Sequence, residues 1–266
     1  MGTFENLKNY IVELYEYRNV LRSLVSKNLF GKYRNSLLGF SWNFITPIIL
    51  MIMYYVVFTE IRGDTGIENR WVFISTAIFL FHFLTRCIVG GTAAFTGNAG
   101  IIKKMYFPKE ILVFSTAISN MIVCIIGYSV VLLMMLLTSY TIEWKCILVM
   151  LLLLLLSFMF GIGCIFILSS IAVYVRDIQY ALGSIGIALF IMTPMRYMAS
   201  DASGMLSVII WYNPLTYYIE VAHDLLYWSV LPNDTMMITC CCLSFVSLIL
   251  GYAVFHKLKR GMVKRI

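Results

Sequence analysis

Six uncharged, strongly apolar runs recur along the chain, separated by short polar segments. Crossing about 30 Å of hydrocarbon takes roughly 20 apolar residues in a helix, each adding about 1.5 Å. The runs predict spans at 42–59, 71–89, 111–140, 146–175, 178–195 and 236–255. The third and fourth, about 45 Å each if wholly helical, must tilt, kink or project beyond the lipid. Another apolar stretch, 205–230, is broken by Asn213-Pro214 and carries Glu220, His223 and Asp224. Its pieces, 205–212 and 215–230, reach only about 12 and 24 Å. They predict two half-helices that dip in from the outer side and return, an arrangement tolerated only against protein or a water-filled cavity. Ahead of the first span, Tyr17, Val20, Leu21, Leu24 and Val25 share one helical face and Arg18, Asn19, Arg22, Ser26 and Lys27 the other. Such a helix is expected along the inner headgroups, held by apolar burial and anionic lipid; packing against a partner is the open alternative. Residues 1–30 have neither the continuous apolar core nor the small-residue cleavage site of a signal peptide.

Composition agrees with this all-α, polytopic, six-span reading. Of the 266 residues, 61% are apolar and 12% charged, against about 45–50% and 25% in soluble domains, and mean hydropathy is +0.88. One compact soluble core could not hide so much apolar surface. Orientation follows from loop charge, because Lys and Arg near span ends stay on the cytoplasmic side. With both termini inside, only Arg62, Arg70, Lys145 and Arg196 of the 20 basic residues lie outside, together with Glu60, Asp64, Glu68, Glu143, Asp201, Glu220, Asp224 and Asp234 of the 13 acids. The chain is therefore expected to be one domain in the cytoplasmic membrane: an amphipathic inner segment (1–41), a six-span core (42–255) and a basic inner tail (256–266).

Several chemistries have no residues to carry them. Gly31-Lys32 is followed by Tyr33, so no phosphate-cradling G-x-x-x-x-G-K-[ST] loop is formed. The seven cysteines include no C-x-x-C pair and the three histidines stand far apart, so neither a disulfide framework nor a metal site is expected. The spans lack the intramembrane acids of a proton-coupled carrier and the base of an intramembrane enzyme. Arg86, about one turn from an inner end, is read as a snorkelling side chain.

Five ordered motifs carry a resemblance. They are GKYRNSLLGFSW (31–42) followed by Pro47 and Val57-Phe58, NAGIIKKMYFPKEIL (98–112) with its K-x-x-x-F-P element, Arg176-Asp177, Thr193-Pro194, and Asn213-Pro214-Leu215-Thr216. Together the chain resembles, over nearly its full length, the membrane subunit of type-2 ABC exporters that move polysaccharides and polyol phosphates. Met195-Arg196 departs from the apolar residues commoner after the T-P element. The resemblance implies a non-enzymatic permease subunit that pairs with itself and with two cytoplasmic ATPase subunits. These would carry the ATP and Mg, leaving no cofactor on this chain. The implied cargo is a lipid-linked glycan such as O-antigen or teichoic acid, with no nucleic-acid partner. A type-2 exporter of drugs or other small hydrophobic molecules would share the architecture, and a multi-pass enzyme acting on lipid-linked sugars is a further alternative.

Roles can then be assigned. The inner loop 97–109 is expected to form a short helix docking into the ATPase, with Met105, Tyr106 and Phe107 as apolar anchors, Lys103, Lys104 and Lys109 as a charged rim, and Pro108 as its stop. Arg176 and Asp177 form a second candidate contact; a solvated ion pair is the alternative. Arg22, Lys27, Lys32 and Arg34 could draw a lipid headgroup to the inner entrance, although topology alone would also place them there. Aromatic rings bind sugar faces, so Tyr54, Tyr55, Phe58, Trp211, Tyr212, Tyr217 and Tyr218 are candidate pathway residues, with interfacial belts as the competing explanation. Glu220, with His223 and Asp224, is a candidate outer gate.

Overall fold

The computed structural model describes residues 15–31, 38–62, 69–138, 140–262 and 265, and every regular element among them is helical. In chain order these are α1 (Arg18–Phe30), α2 (Trp42–Arg62), α3 (Arg70–Ile88), α4 (Ala93–Thr96), α5 (Ala99–Lys104), α6 (Glu110–Leu137), α7 (Trp144–Tyr174), α8 (Ile178–Met192), α9 (Gly204–Tyr212), α10 (Pro214–Leu226) and α11 (Asp234–Met262). Among the described residues, four stretches are long and apolar enough to cross a bilayer: the one containing α3, then α6, α7 and α11. α2 includes a shorter apolar stretch, and α8, at 15 residues, rises about 22 Å. α11 continues seven residues past the expected end at Phe255, carrying Lys257 and Lys259 in helical register.

α3 is the centre of the bundle. Its sides are covered by α2, α6, α7 and α10, so Val72, Phe73, Ala77, Leu80, Phe83 and Leu84 are all buried. α11 lies at the margin and leaves Ile238, Phe245, Val246, Ile249 and Leu250 exposed. α7 does the same with Leu148, Leu151, Leu152 and Leu155. Exposed leucines and isoleucines in stripes this continuous need lipid as their solvent.

Small residues set the closest approach, between α7 and α11. A Cβ on Gly251 would stand 2.5 Å from the Gly163 carbonyl oxygen, and one on Gly163 would overlap Ser247. In lipid, where no hydrophobic force joins helices, close backbone packing and side-chain hydrogen bonds hold them together. Ser247 Oγ donates to Phe160 O at 3.1 Å, Ser244 Oγ lies 2.8 Å from Leu156 O, and Tyr174 OH donates to Leu258 O at 3.0 Å. Between α3 and α6, the Phe79 ring fills the space a Cβ on Gly127 would need, and Tyr128 OH donates to Thr76 O at 2.6 Å.

The amphipathic helix turns its apolar face to the protein. The apolar face of α1 packs on α6, with Leu24 and Leu29 buried and Tyr17, Val20 and Leu21 partly so. Protein covers this face in part, while Arg22 and Lys27 stay exposed.

Candidate coupling surface and substrate path

At the end of the bundle that the charge pattern places inside, α5 stops at Lys104, four residues before Pro108, because Met105 already has extended backbone (φ −132°, ψ 137°). The residue before a proline is also disfavoured in helical space, and Phe107 lies outside any helix. The loop divides by burial. Lys103, Lys104, Met105 and Tyr106 are exposed, Tyr106 at 92%, whereas Phe107 and Pro108 are buried. Phe107 therefore anchors the loop to its own fold and is not an anchor for a partner, which corrects the reading of all three apolar residues as docking groups.

Behind the loop, Glu110 is almost fully buried and accepts a 2.6 Å ion pair from Lys259 of α11. Burial and the nearby Lys259 charge lower the pKa of Lys109, partly offset by Glu110. Arg176 and Asp177 are exposed in the turn between α7 and α8, and their side chains form no ion pair with each other. Gln179 Nε2 donates to Thr96 Oγ1 at 3.1 Å, drawing this turn toward α4. A cavity of about 270 Å³ lies between them, lined by Ala99, Arg176, Tyr180 and Arg265 among others. The guanidinium of Arg265 sits 4.8 Å from the Tyr174 ring centroid. The fold thus joins the two sequence-derived candidate coupling segments and the tail into one surface at this end of the bundle. It adds Tyr180, 81% exposed, which no motif had marked.

At the opposite end, α9 and α10 meet at Asn213. Its amide donates to Thr193 Oγ1 at 2.9 Å and its carbonyl oxygen caps α10 by accepting from Leu215 N at 3.1 Å. The T-P and N-P-L elements are therefore one hydrogen-bonded junction. Tyr218 OH lies 2.7 Å from Ser244 Oγ, ten residues into α11, so this part of α10 sits about 15 Å below the start of that helix. α10 then returns to the loop after α6, where Tyr140 OH donates to Tyr227 O and Glu143 N donates to Ser229 Oγ at 2.9 Å.

Two outer candidates are corrected by these contacts. Tyr218 is fully buried with its hydroxyl partnered, a core residue and not part of a path wall. His223 is 2% exposed, stacks on Phe73 at 3.9 Å and makes a 3.1 Å hydrogen bond with Phe73 O, so it ties α10 to α3 and does not gate. Tyr217 is half-buried and donates to Trp211 O at 3.0 Å; Tyr212 is 85% exposed and Tyr55 is exposed. Glu220 is half-buried, 3.7 Å from His223 Nδ1. Asp224, one turn on, has its pKa raised to about 6 by burial and by the charge of Glu220, with His223 opposing. Lys32 and Arg34 lie outside the described residues, as do the side chains of Tyr54 and Phe58.

Residues 19–227 match the model of the ABC-2 type transporter family. The chain belongs to that family. It is accordingly a membrane transport subunit and not an enzyme. It is also similar to proteins described as "O-antigen export system permease protein RfbA". The Myxococcus xanthus relative is 25% identical over 96% of this chain and 98% of its own length. Two Klebsiella pneumoniae relatives are 29% and 28% identical, each over 91% of this chain and 92% of their own. Membership implies association with an ABC ATPase partner, which accounts for the missing phosphate-binding loop in this sequence.

Proposed function

We propose that the chain is the membrane subunit of an ATP-driven exporter of a lipid-linked polysaccharide, an O-antigen or teichoic-acid type of glycan. The observation that carries this reading is the end-to-end similarity to three permeases described as exporting O-antigen. Two copies would pair, each crossing the cytoplasmic membrane six times with both termini inside. Two cytoplasmic ATPase subunits would bind ATP and Mg. α2 and α8 then complete the six spans, the latter extended by the non-helical 193–198 segment, and α9 and α10 form the outer half-helices.

Coupling is assigned to the exposed part of the inner loop. Lys103, Lys104, Met105 and Tyr106 offer an apolar tip with a cationic rim, and closure of the ATPase pair would push on it. Arg176, Asp177 and Tyr180 stand beside it. The Glu110–Lys259 pair passes the push to α6 and α11 together. Tyr55, Trp211, Tyr212 and Tyr217 remain the aromatic candidates for the glycan path.

The test is reconstitution of the permease with its ATPase. Glycan-lipid should stimulate ATP hydrolysis, and Lys103→Glu with Lys104→Glu should lower that stimulation at least fivefold and remove surface glycan from cells. Hydrolysis that responded to small hydrophobic drugs and ignored glycan-lipid would assign the chain to the drug-exporting class.

A further inference from the structure

Two spaces near the inner end of α3 meet at one cation. The first is a polar cavity of about 440 Å³ between α1, α3, α4 and α6, lined by Lys27, Asn28, Arg86, Asn98 and Asn120 among others. The second is an apolar groove of about 460 Å³ between α3 and α8, walled by Phe81, Val89, Ile187 and Phe190, with Gly183 and Gly186 on the α8 side. Arg86 and Gly90 line both. We propose that the two form a bipartite site for a single inner-leaflet lipid with a phosphate or diphosphate head, the head held by Arg86 and Lys27 and the chain lying between α3 and α8.

The charge balance favours an anion in the cavity. No Asp or Glu lines either space, and among the described residues neither Arg86 nor Lys27 has a carboxylate partner. A guanidinium one turn inside a membrane helix is costly unless it reaches water or a counter-charge, and here it faces the cavity. Lys27 spends one N–H on Asn98 Oδ1 at 2.8 Å, which fixes the ammonium at the rim and leaves two donors. Asn98 is itself held by donating to Ala94 O at 2.9 Å. Arg86 supplies a planar fork suited to phosphate oxygens.

The groove decides between a free anion and a lipid. It runs along α3 from Arg86 back to Phe81, away from the inner end and toward mid-membrane, and its walls are mainly apolar, with His82 and Thr85 as the polar side chains beside Arg86. An amphiphile of the inner leaflet has that polarity: head at the inner end, chain directed inward. Nothing stands within 4 Å of where a Cβ on Gly183 would project, so there is open space beside α8. A phosphate without a chain would leave the groove unfilled, and a chain without a charged head would leave Arg86 unpaired.

This assignment rests on the proposed export of a lipid-linked glycan and names where its lipid is held. The test uses the full transporter in phosphatidylcholine nanodiscs and a polyprenyl diphosphate with a photoreactive group in its chain. Cross-links should fall in 81–90 and 183–190. Arg86→Gln should lower labelling about tenfold or more, with partial recovery in Arg86→Lys. Gly183→Leu, placed in open space, should lower labelling to a similar extent while leaving the weak competition by inorganic diphosphate unchanged. Excess phosphatidylglycerol should fail to compete. Labelling elsewhere, or labelling indifferent to both Arg86→Gln and Gly183→Leu, overturns the site. Equal competition by phosphatidylglycerol overturns it in favour of bulk membrane lipid, and disulfide cross-linking of Gly183→Cys between two protomers overturns it in favour of a second copy in the groove. Failure of the export reading is read separately, as intact labelling without glycan-stimulated hydrolysis.

Discussion

Asp224 sits half-buried near the return of α10, and its raised pKa has a definite sign. Burial and Glu220 disfavour the carboxylate, so the folded state holds a proton up to about pH 6, above the ordinary 3.8. Stability is then gained as pH falls through that window and is lost as pH rises through 6. Between pH 7 and pH 5 wild type should gain about 1 kcal/mol relative to Asp224→Asn, a figure discounted for the group's half exposure. Thermal unfolding of the two proteins in detergent reads this difference, and parallel pH profiles would show that Asp224 is not the titrating group. Next to it, Tyr217 and Tyr218 are adjacent in sequence and opposite in role. Periodicity held the answer: Leu215, Tyr218, Ile219, Ala222, Leu225 and Leu226 recur at helical spacing and are all buried, which marks the core face of α10. Reading the tyrosines by type alone concealed that face.

Among elements, the two pairings that matter most use opposite devices. α7 and α11 approach through Gly163 and Gly251, where side chains are absent. α6 and α11 are joined by a charge pair across 149 residues of sequence. Lys259→Met should leave the Glu110 carboxylate buried without its partner and cost about 2 kcal/mol, less than for a fully enclosed pair because Lys259 keeps some solvent contact. Adding Glu110→Gln should recover part of that loss. A double-mutant cycle on unfolding measures the coupling; strict additivity would show that the pair does not join the helices. Neither device was legible beforehand. Glu110 and Lys259 are remote in the chain, and only folding brings them within 2.6 Å. α1 is a similar case: its amphipathic face was plain from spacing, but an apolar stripe is equally satisfied by lipid or protein, and the packing on α6 decided which.

For the whole molecule, the charge pattern predicts an orientation that labelling can check. In a background without reactive cysteines, an impermeant maleimide should modify Asn233→Cys in intact cells and Arg265→Cys only after permeabilisation; the reverse pattern would invert the proposed topology. Apolar runs of bilayer length, the strongly skewed distribution of Lys and Arg, and the breaks at Asn213-Pro214 and Phe107-Pro108 are properties of the linear chain. They follow from the cost of burying charge and unsatisfied backbone in hydrocarbon, so the sequence by itself determined a helical membrane protein, its helix limits to within a few residues in most cases and its candidate coupling loop. Which faces meet is a different matter, because in lipid every apolar face is equally content with its solvent. Only the tertiary structure decided that Phe107, Tyr218 and His223 are internal supports, that Arg176 stands beside the inner loop, and that Arg86 and Lys27 face one cavity, since each depends on shape and polar pairing between segments far apart in the chain.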